Sequence, residues 1–235
     1  MASTHPAPRV LWPQVWGLAS VQGAITLCWV IYNLYLVRLL TQYGFSEGLA
    51  TSLIVIETGA AVLLEPLMGS LSDRLQRWMG SRFPMVAAGV ILSAACFLAI
   101  PLSLIFGGPG PVTRWLLPVA AVAWAFAMTI FRSPVLSLLG RYAMATQQPQ
   151  AASILTLVGG VTGALAPLAG DLILRLGPLV AFALGSLVML GAAWVLRLTQ
   201  PDQMAAGTES SGGALSVVPL VAIFIIGISA TLGLR

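Results

Sequence analysis

Long apolar segments alternate with short polar dividers along almost the whole chain. A helix needs about 20 mostly apolar residues to cross a bilayer. The pattern predicts six spans, followed by a seventh, at 14–38, 48–70, 84–106, 114–138, 151–174, 178–198 and 216–234. The predicted fold class is therefore all-α, a polytopic membrane bundle of helices.

The dividers predict four regions. Residues 1–13 are expected to form a cytoplasmic tail and residues 14–198 a six-helix bundle. Residues 199–215 have the polar, Gly- and Ser-containing composition of a flexible cytoplasmic linker. Residues 216–235 are then a seventh helix that begins a second bundle. We expect a missing C-terminal half, or a partner subunit, to complete the assembly.

An internal repeat relates the first three spans to the next three. PLMGSLSDRL at 66–75 and PLAGDLILRL at 167–176 share the pattern P-L-x-G-x-L-x-x-R-L at an offset of 101 residues. The first copy lies where span two enters the cytoplasm, and the second lies where span five leaves it. The repeat therefore predicts two three-helix units of opposite topology, as in inverted-repeat transporters.

Composition and charge support a membrane location. Apolar residues make up 58% of the chain and charged residues only 8%, whereas soluble domains carry roughly 25% charged residues. All eleven basic residues are Arg, placed singly between apolar runs, which indicates helix anchoring rather than nucleic-acid binding. The positive-inside rule favours a cytoplasmic N-terminus in a plasma (inner) membrane. The Arg residues on the cytoplasmic side are then Arg9, Arg74, Arg77, Arg82, Arg141 and Arg197, against Arg38, Arg114 and Arg175 outside.

The residue types needed for metal or hydrolytic chemistry are scarce. Cys28 and Cys96 lie inside apolar runs, and His5 is the single histidine. These residues give no metal-ligand spacing, no nucleophile–base pair and no cofactor motif. The sequence therefore predicts neither a metal, nor a cofactor, nor an enzyme.

The stretch GSLSDRLQRWMGSRFP, residues 69–84, resembles the loop signature of the major facilitator superfamily. It is similar, more narrowly, to the sucrose-transporter branch, the relatives of glycoside–cation symporters. This resemblance implies that Asp73 and Arg74 belong to a cytoplasmic gate, and that spans one and four line a substrate cavity. Arg141 and Leu136 depart from that branch, which speaks against sucrose as the solute. The matching positions are Gly69, Ser72, Asp73, Arg74, Gly80, Arg82 and Pro84.

Among the ionisable residues inside predicted spans, we single out Glu57 and Glu65 in span two, and Arg132 in span four. Such groups cost on the order of 2.5–3.5 kcal/mol at the membrane centre, so each needs a partner or a water-filled cavity. One hypothesis is that Glu57 exchanges a coupling proton and that Arg132 pairs with Glu65 near the gate. The alternative is that Glu65 and Arg132 are static partners near the membrane edge.

Two further patterns involve small and uncharged polar residues. Gln22 and Asn33 are separated by about three helical turns, so they share one face of span one. That face is a candidate cavity lining, and interhelical hydrogen bonding is the alternative. A small-residue stripe along span five predicts close helix packing, formed by Gly159, Gly163, Pro167 and Gly170.

Together these features predict a secondary transporter of a small polar solute, with a sugar or glycoside as the candidate, that works by alternating access. Its expected partners are membrane lipid, the solute and a proton as coupling ion, without nucleic acid. Two alternatives stay open. One is a scaffold of the same superfamily that handles a pigment or another hydrophobic ligand. The other is a drug or metabolite exporter, which the resemblance of GGVTGALAPLAGD to a Gly-rich span-five motif favours.

Overall fold

The computed structural model describes residues 10–79, 83–106, 110, 113–143 and 146–199, and this part of the chain consists of helices and short turns. The helices belong to one compact unit within Met1–Ala205. They are α1 (Trp12–Gln42), α2 (Glu47–Met79), α3 (Phe83–Phe106), α4 (Leu116–Ser137), α5 (Leu139–Tyr142), α6 (Gln148–Ala164), α7 (Ala166–Leu176) and α8 (Pro178–Leu198), with a 3₁₀ turn at Thr113–Trp115.

The all-α membrane fold is confirmed. Five of these helices are long and apolar enough to cross a bilayer, and the pair α6–α7 makes a sixth span if it is counted as one. The helix α2 runs nine residues beyond the predicted end of its span, to Met79, and contains the whole of the 66–75 repeat copy. The predicted linker from 200 onward, the seventh span and residues 1–9 lie outside the described residues.

Span five is not the straight helix that the apolar pattern predicts. It breaks at Leu165, and α6 and α7 meet at an angle of 59°. Pro167 lies in the first turn of α7. Because proline has no backbone N–H and its ring clashes with the preceding turn, it weakens a continuous helix here, whereas it fits the first turn of a new one.

Glycine ends α1 and α7. Gly44 follows α1 with φ of 78°, and the Phe45 amide donates to the Leu40 carbonyl at 3.0 Å. Gly177 has φ of 80° and is followed directly by Pro178, the first residue of α8. Positive φ costs glycine no steric energy, whereas a following proline fits a helix start. The chain therefore reverses within a few residues at both places.

The helix contacts have the pattern of two related triplets. The most extensive contacts of α1 are with α8 and α6, and those of α4 are with α3 and α2, while α3 and α8 pack on each other. Exchanging α1 with α4, α2 with the α6–α7 pair, and α3 with α8 leaves this pattern unchanged. Two three-helix units related by a pseudo-twofold axis produce such contacts, as the 101-residue repeat predicts.

The buried core lies where α1, α3, α4 and α8 meet, whereas α2 and the α6–α7 pair lie to the side. Its largest side chains are aromatic: Tyr32, Phe97, Trp124, Phe131 and Phe182. In the most apolar window of each helix, 56% of α1 is buried but only 11% of α2. The helix α2 therefore packs mainly on α4, and most of its surface is uncovered.

Candidate functional site

Glu57 is the most deeply buried carboxyl group among the described residues, with 5% of its surface exposed. The Tyr32 hydroxyl on α1 donates a hydrogen bond to Glu57 Oε1 at 2.7 Å. Glu57 Oε2 is also buried and has no hydrogen-bond partner within the described part of the chain. One carboxyl oxygen therefore accepts a hydrogen bond from Tyr32, and the other is available to take up a proton or to accept a hydrogen bond from another donor.

Aromatic rings surround the Tyr32 side of this pair. The Tyr32 ring lies 4.5 Å from the ring of Trp124, and Trp29 lies 4.9 Å from Trp124. Phe97 packs on the other side of Trp124, with 4.9 Å between the ring centroids. Trp124 is fully buried, and its Nε1 has no hydrogen-bond partner among the described residues. A charged carboxylate is less well solvated in such apolar surroundings than in water.

The second three-helix unit has no acid at the matching position. The residue 101 positions after Glu57 is Val158 on α6. A Cβ atom on Gly23 of α1 would lie 3.0 Å from Val158 Cγ1, so this interface is tight and apolar. The repeated fold can therefore be built with an aliphatic residue at this point. The carboxyl group of Glu57 is therefore a feature of the first unit alone.

A second polar contact joins α2 to α4. Arg132 Nη1 lies 3.2 Å from Glu65 Oε1, and the two side chains are 40% and 38% exposed. One turn further along α2, a Cβ atom on Gly69 would lie 3.0 Å from Ser133 Oγ. Ser72 is buried one turn beyond that. Glu65, Gly69 and Ser72 follow the spacing of one helical face, and this face packs on α4.

Glu57 and Glu65 have different partners, although the sequence allows them to share a broad face. Glu57 bonds to Tyr32 of α1, and Glu65 pairs with Arg132 of α4. In the gate motif, Gly69 and Ser72 lie on the α4 side of the helix, while Asp73 and Arg74 are exposed. Of the remaining motif positions, Gly80 and Arg82 lie outside the described residues, and Pro84 is the second residue of α3.

The two candidate cavity residues differ in their surroundings. Asn33 is exposed, whereas Gln22 is half-buried against α6, where a Cβ atom on Gly159 would lie 3.4 Å from Gln22 Nε2. Gln22 Oε1 is buried without a partner in the described part of the chain. The two residues share a face of α1, but only Asn33 is freely reachable.

The glycines of span five pack against α1, and Pro167 does not join them. A Cβ atom on Gly163 would lie 3.7 Å from Thr26, and one on Gly170 would lie 3.7 Å from Leu34. Gly159 continues this row beside Gln22. Pro167 is exposed at the bend between α6 and α7. Within the described residues, no three His, Cys, Asp or Glu side chains come together as a metal site.

Sequence reasoning identified the acids but missed Trp29 and Trp124. In an apolar segment, the sequence does not distinguish a tryptophan near a functional site from any other large core residue, so Trp29 and Trp124 carry no signal of their own. Tyr32 carries a usable signal, because a buried tyrosine hydroxyl normally finds a hydrogen-bond acceptor. An acceptor within the membrane is rare, and Glu57 in the neighbouring span is an obvious candidate.

A helical bundle with two related three-helix units and a buried carboxyl group between spans defines an integral membrane protein of the transporter type. The chain belongs to the Major Facilitator Superfamily, whose family model matches residues 18–234. A comparison with curated proteins gives no match.

Proposed function

We propose that this protein is a proton-coupled secondary transporter of a small polar solute, possessing a binding site open alternately to each side of the membrane. The observation that carries the proposal is Glu57, a buried carboxyl group with one oxygen bonded to Tyr32 and the other unpartnered among the described residues. Such a group is suited to hold a proton in one state and release it in another. The solute class, a sugar or glycoside, is supported by the resemblance of residues 69–84 to the sucrose-transporter branch.

We assign the cytoplasmic gate to the contact between α2 and α4. The Glu65–Arg132 ion pair, the close approach of Gly69 to Ser133, and the exposed Asp73 and Arg74 all lie toward the end of α2. Because α2 is mostly uncovered, it can move as a unit when these few contacts change.

Alternating access needs two bundles around one site. We propose that the six described spans form one bundle, with its N-terminus cytoplasmic. The second bundle would come from a further segment or a partner subunit. The large uncovered surface of α2 is suited to contact it.

The test of proton coupling is the substitution Glu57→Gln in the full chain. Membrane vesicles from producing cells retain any partner subunit, and an internal pH-sensitive dye reports proton entry when a solute is added. A panel of glycosides and small polyols serves as the probe. We expect at least a roughly tenfold loss of solute-driven proton entry, because glutamine accepts hydrogen bonds but cannot carry a proton.

The matched control is Glu47→Gln, which neutralises an exposed acid at the start of the same helix. This variant should behave as the wild type. A Glu57→Gln protein that still couples solute to proton entry at the wild-type rate would rule out the proton-carrier role.

A further inference from the structure

Four side chains form one stripe along α1, and the stripe is not covered by the aromatic core. Gln22, Thr26, Trp29 and Asn33 are half-buried or exposed, whereas Ala24, Ile31 and Tyr35 on the opposite side are buried. At 3.6 residues per turn, the four positions fall within an arc of about 60°. We call these four residues the α1 stripe.

The depth of the α1 stripe matches a site near the middle of the membrane. The helix α1 extends from Trp12 to Gln42, and Trp29 lies close to its centre. With a rise of about 1.5 Å per residue, the whole stripe lies within about 10 Å of that centre. Transporter binding sites are found at this depth.

Asn33 indicates that the α1 stripe faces water. Its side chain is exposed, and it makes no hydrogen bond to the residues that the structure describes. An amide facing hydrocarbon would have to give up its hydrogen bonds without replacement, which is strongly unfavourable. An aqueous cavity beside this face of α1 removes that cost.

Trp29 is rigidly supported within the stripe. Its ring contacts Trp124 at 4.9 Å and meets the Tyr32 ring edge-on at 5.6 Å. The half-buried indole therefore keeps part of its surface available while its other contacts fix its orientation. A fixed aromatic surface with the exposed Asn33 amide one helical turn away is complementary to a ring with one flat apolar face and polar edges.

We propose that Trp29 is the stacking surface of the substrate site, and that Asn33 binds the polar edge of a ring-shaped solute. This inference rests on the proposed transport function and adds the shape of the solute to it. Both a pyranoside and a planar aromatic amide have the required chemistry. A linear polyol lacks the flat face and does not.

The test is saturation-transfer nuclear magnetic resonance on the purified full chain in nanodiscs, without any ion gradient. The probes are methyl β-glucopyranoside, nicotinamide and the linear polyol sorbitol. We expect transfer to at least one ring probe. In the glucoside it should be strongest at the axial protons of a single ring face. Trp29→Leu should weaken that binding about tenfold, equivalent to about 1.4 kcal/mol, and Trp29→Phe should weaken it less.

Two further variants separate binding from folding. Trp194→Leu removes a tryptophan that is 60% exposed on α8, and should leave binding unchanged. Asn33→Leu alters an exposed position, so the bundle should stay folded while the ring probe binds more weakly. Transfer to the glucoside alone identifies a pyranoside site, and transfer to nicotinamide alone identifies an aromatic amide site.

The inference is overturned if neither ring probe binds the wild type, if sorbitol binds as well as the rings, or if Trp29→Leu binds the rings unchanged. Its failure is distinguishable from failure of the transport proposal. Ring binding that depends on Trp29, without any solute-driven proton entry, would contradict the transport proposal and leave the stacking role of Trp29 standing. Solute-driven proton entry that is unchanged in the Trp29→Leu variant would contradict the stacking role of Trp29 and leave the transport proposal standing.

Discussion

At the scale of single residues, the proposed proton coupling depends on Glu57 and its hydrogen bond from Tyr32. The pair links α1 to α2, two helices that otherwise touch only sparsely. The polarity of Glu57, Glu65 and Arg132 in apolar segments was enough to find them from sequence. The sequence offers Tyr32 as a candidate partner of Glu57, but choosing it over the other tyrosine of α1 requires knowing which faces of α1 and α2 meet.

Substituting Tyr32 with phenylalanine tests this bond. The change removes the hydroxyl that donates to Glu57 Oε1, and leaves both carboxyl oxygens without a partner from the described residues. We expect a loss of roughly 1–3 kcal/mol in the free energy of unfolding, because a buried acceptor loses its donor. Thermal unfolding of the detergent-solubilised protein measures it.

The control for that experiment is Tyr43→Phe, which removes a hydroxyl that donates to the Leu104 carbonyl at 3.0 Å. This side chain is only half-buried, so a smaller loss is expected. In a Glu57→Leu background, Tyr32→Phe should cost clearly less than in the wild type. Equal costs in both backgrounds would show that the Tyr32–Glu57 bond contributes nothing to stability.

At the scale of helices, the spans were predictable, whereas the break in span five was not. An apolar run long enough to cross the bilayer marks a span whatever its neighbours are. Pro167 allows a bend, but prolines also occur in continuous helices, as Pro66 in α2 and Pro101 in α3 show. Whether a proline bends or breaks a span depends on how neighbouring helices satisfy the freed backbone groups.

Close helix packing gives a sharp prediction at this scale. A Cβ atom on Gly89 of α3 would lie 2.5 Å from Phe131 Cβ and 3.3 Å from its backbone on α4. Gly89→Ala must therefore push α3 and α4 apart, and we expect a loss of roughly 1–3 kcal/mol in stability. The thermal unfolding midpoint reports it.

Gly191→Ala is the matched change for this test, because a Cβ atom there has no neighbour within 4 Å. That variant should be as stable as the wild type, or slightly more stable, since alanine favours helix. If both variants unfold at the same temperature, the α3–α4 interface is looser than the structure shows.

At the scale of the whole molecule, the short repeat of ten residues was enough to indicate the exchange symmetry of the helix contacts. What the repeat could not show is where the two units differ in chemistry. The carboxyl group of Glu57 on α2 has no counterpart on α6, where Val158 packs instead. Such differences come from single side chains and do not disturb the repeated backbone.

The proposed orientation can be measured with introduced cysteines, after Cys28 and Cys96 are replaced by serine. Arg38 and Arg197 are exposed near the ends of α1 and α8. With a cytoplasmic N-terminus, a membrane-impermeant maleimide should label Arg38→Cys in intact cells, and Arg197→Cys only after permeabilisation. The reverse pattern would show that the N-terminus lies outside.

The difference between the two three-helix units at one matching position also has an evolutionary consequence. If the triplets descend from one duplicated segment, their helix pairs began with the same side chains at matching positions. The acid at Glu57 and the valine at Val158 then record a divergence in which one copy specialised while the other kept only its place in the scaffold. New solute or ion specificities could arise in the same way, by changing one copy and leaving the other to maintain the fold.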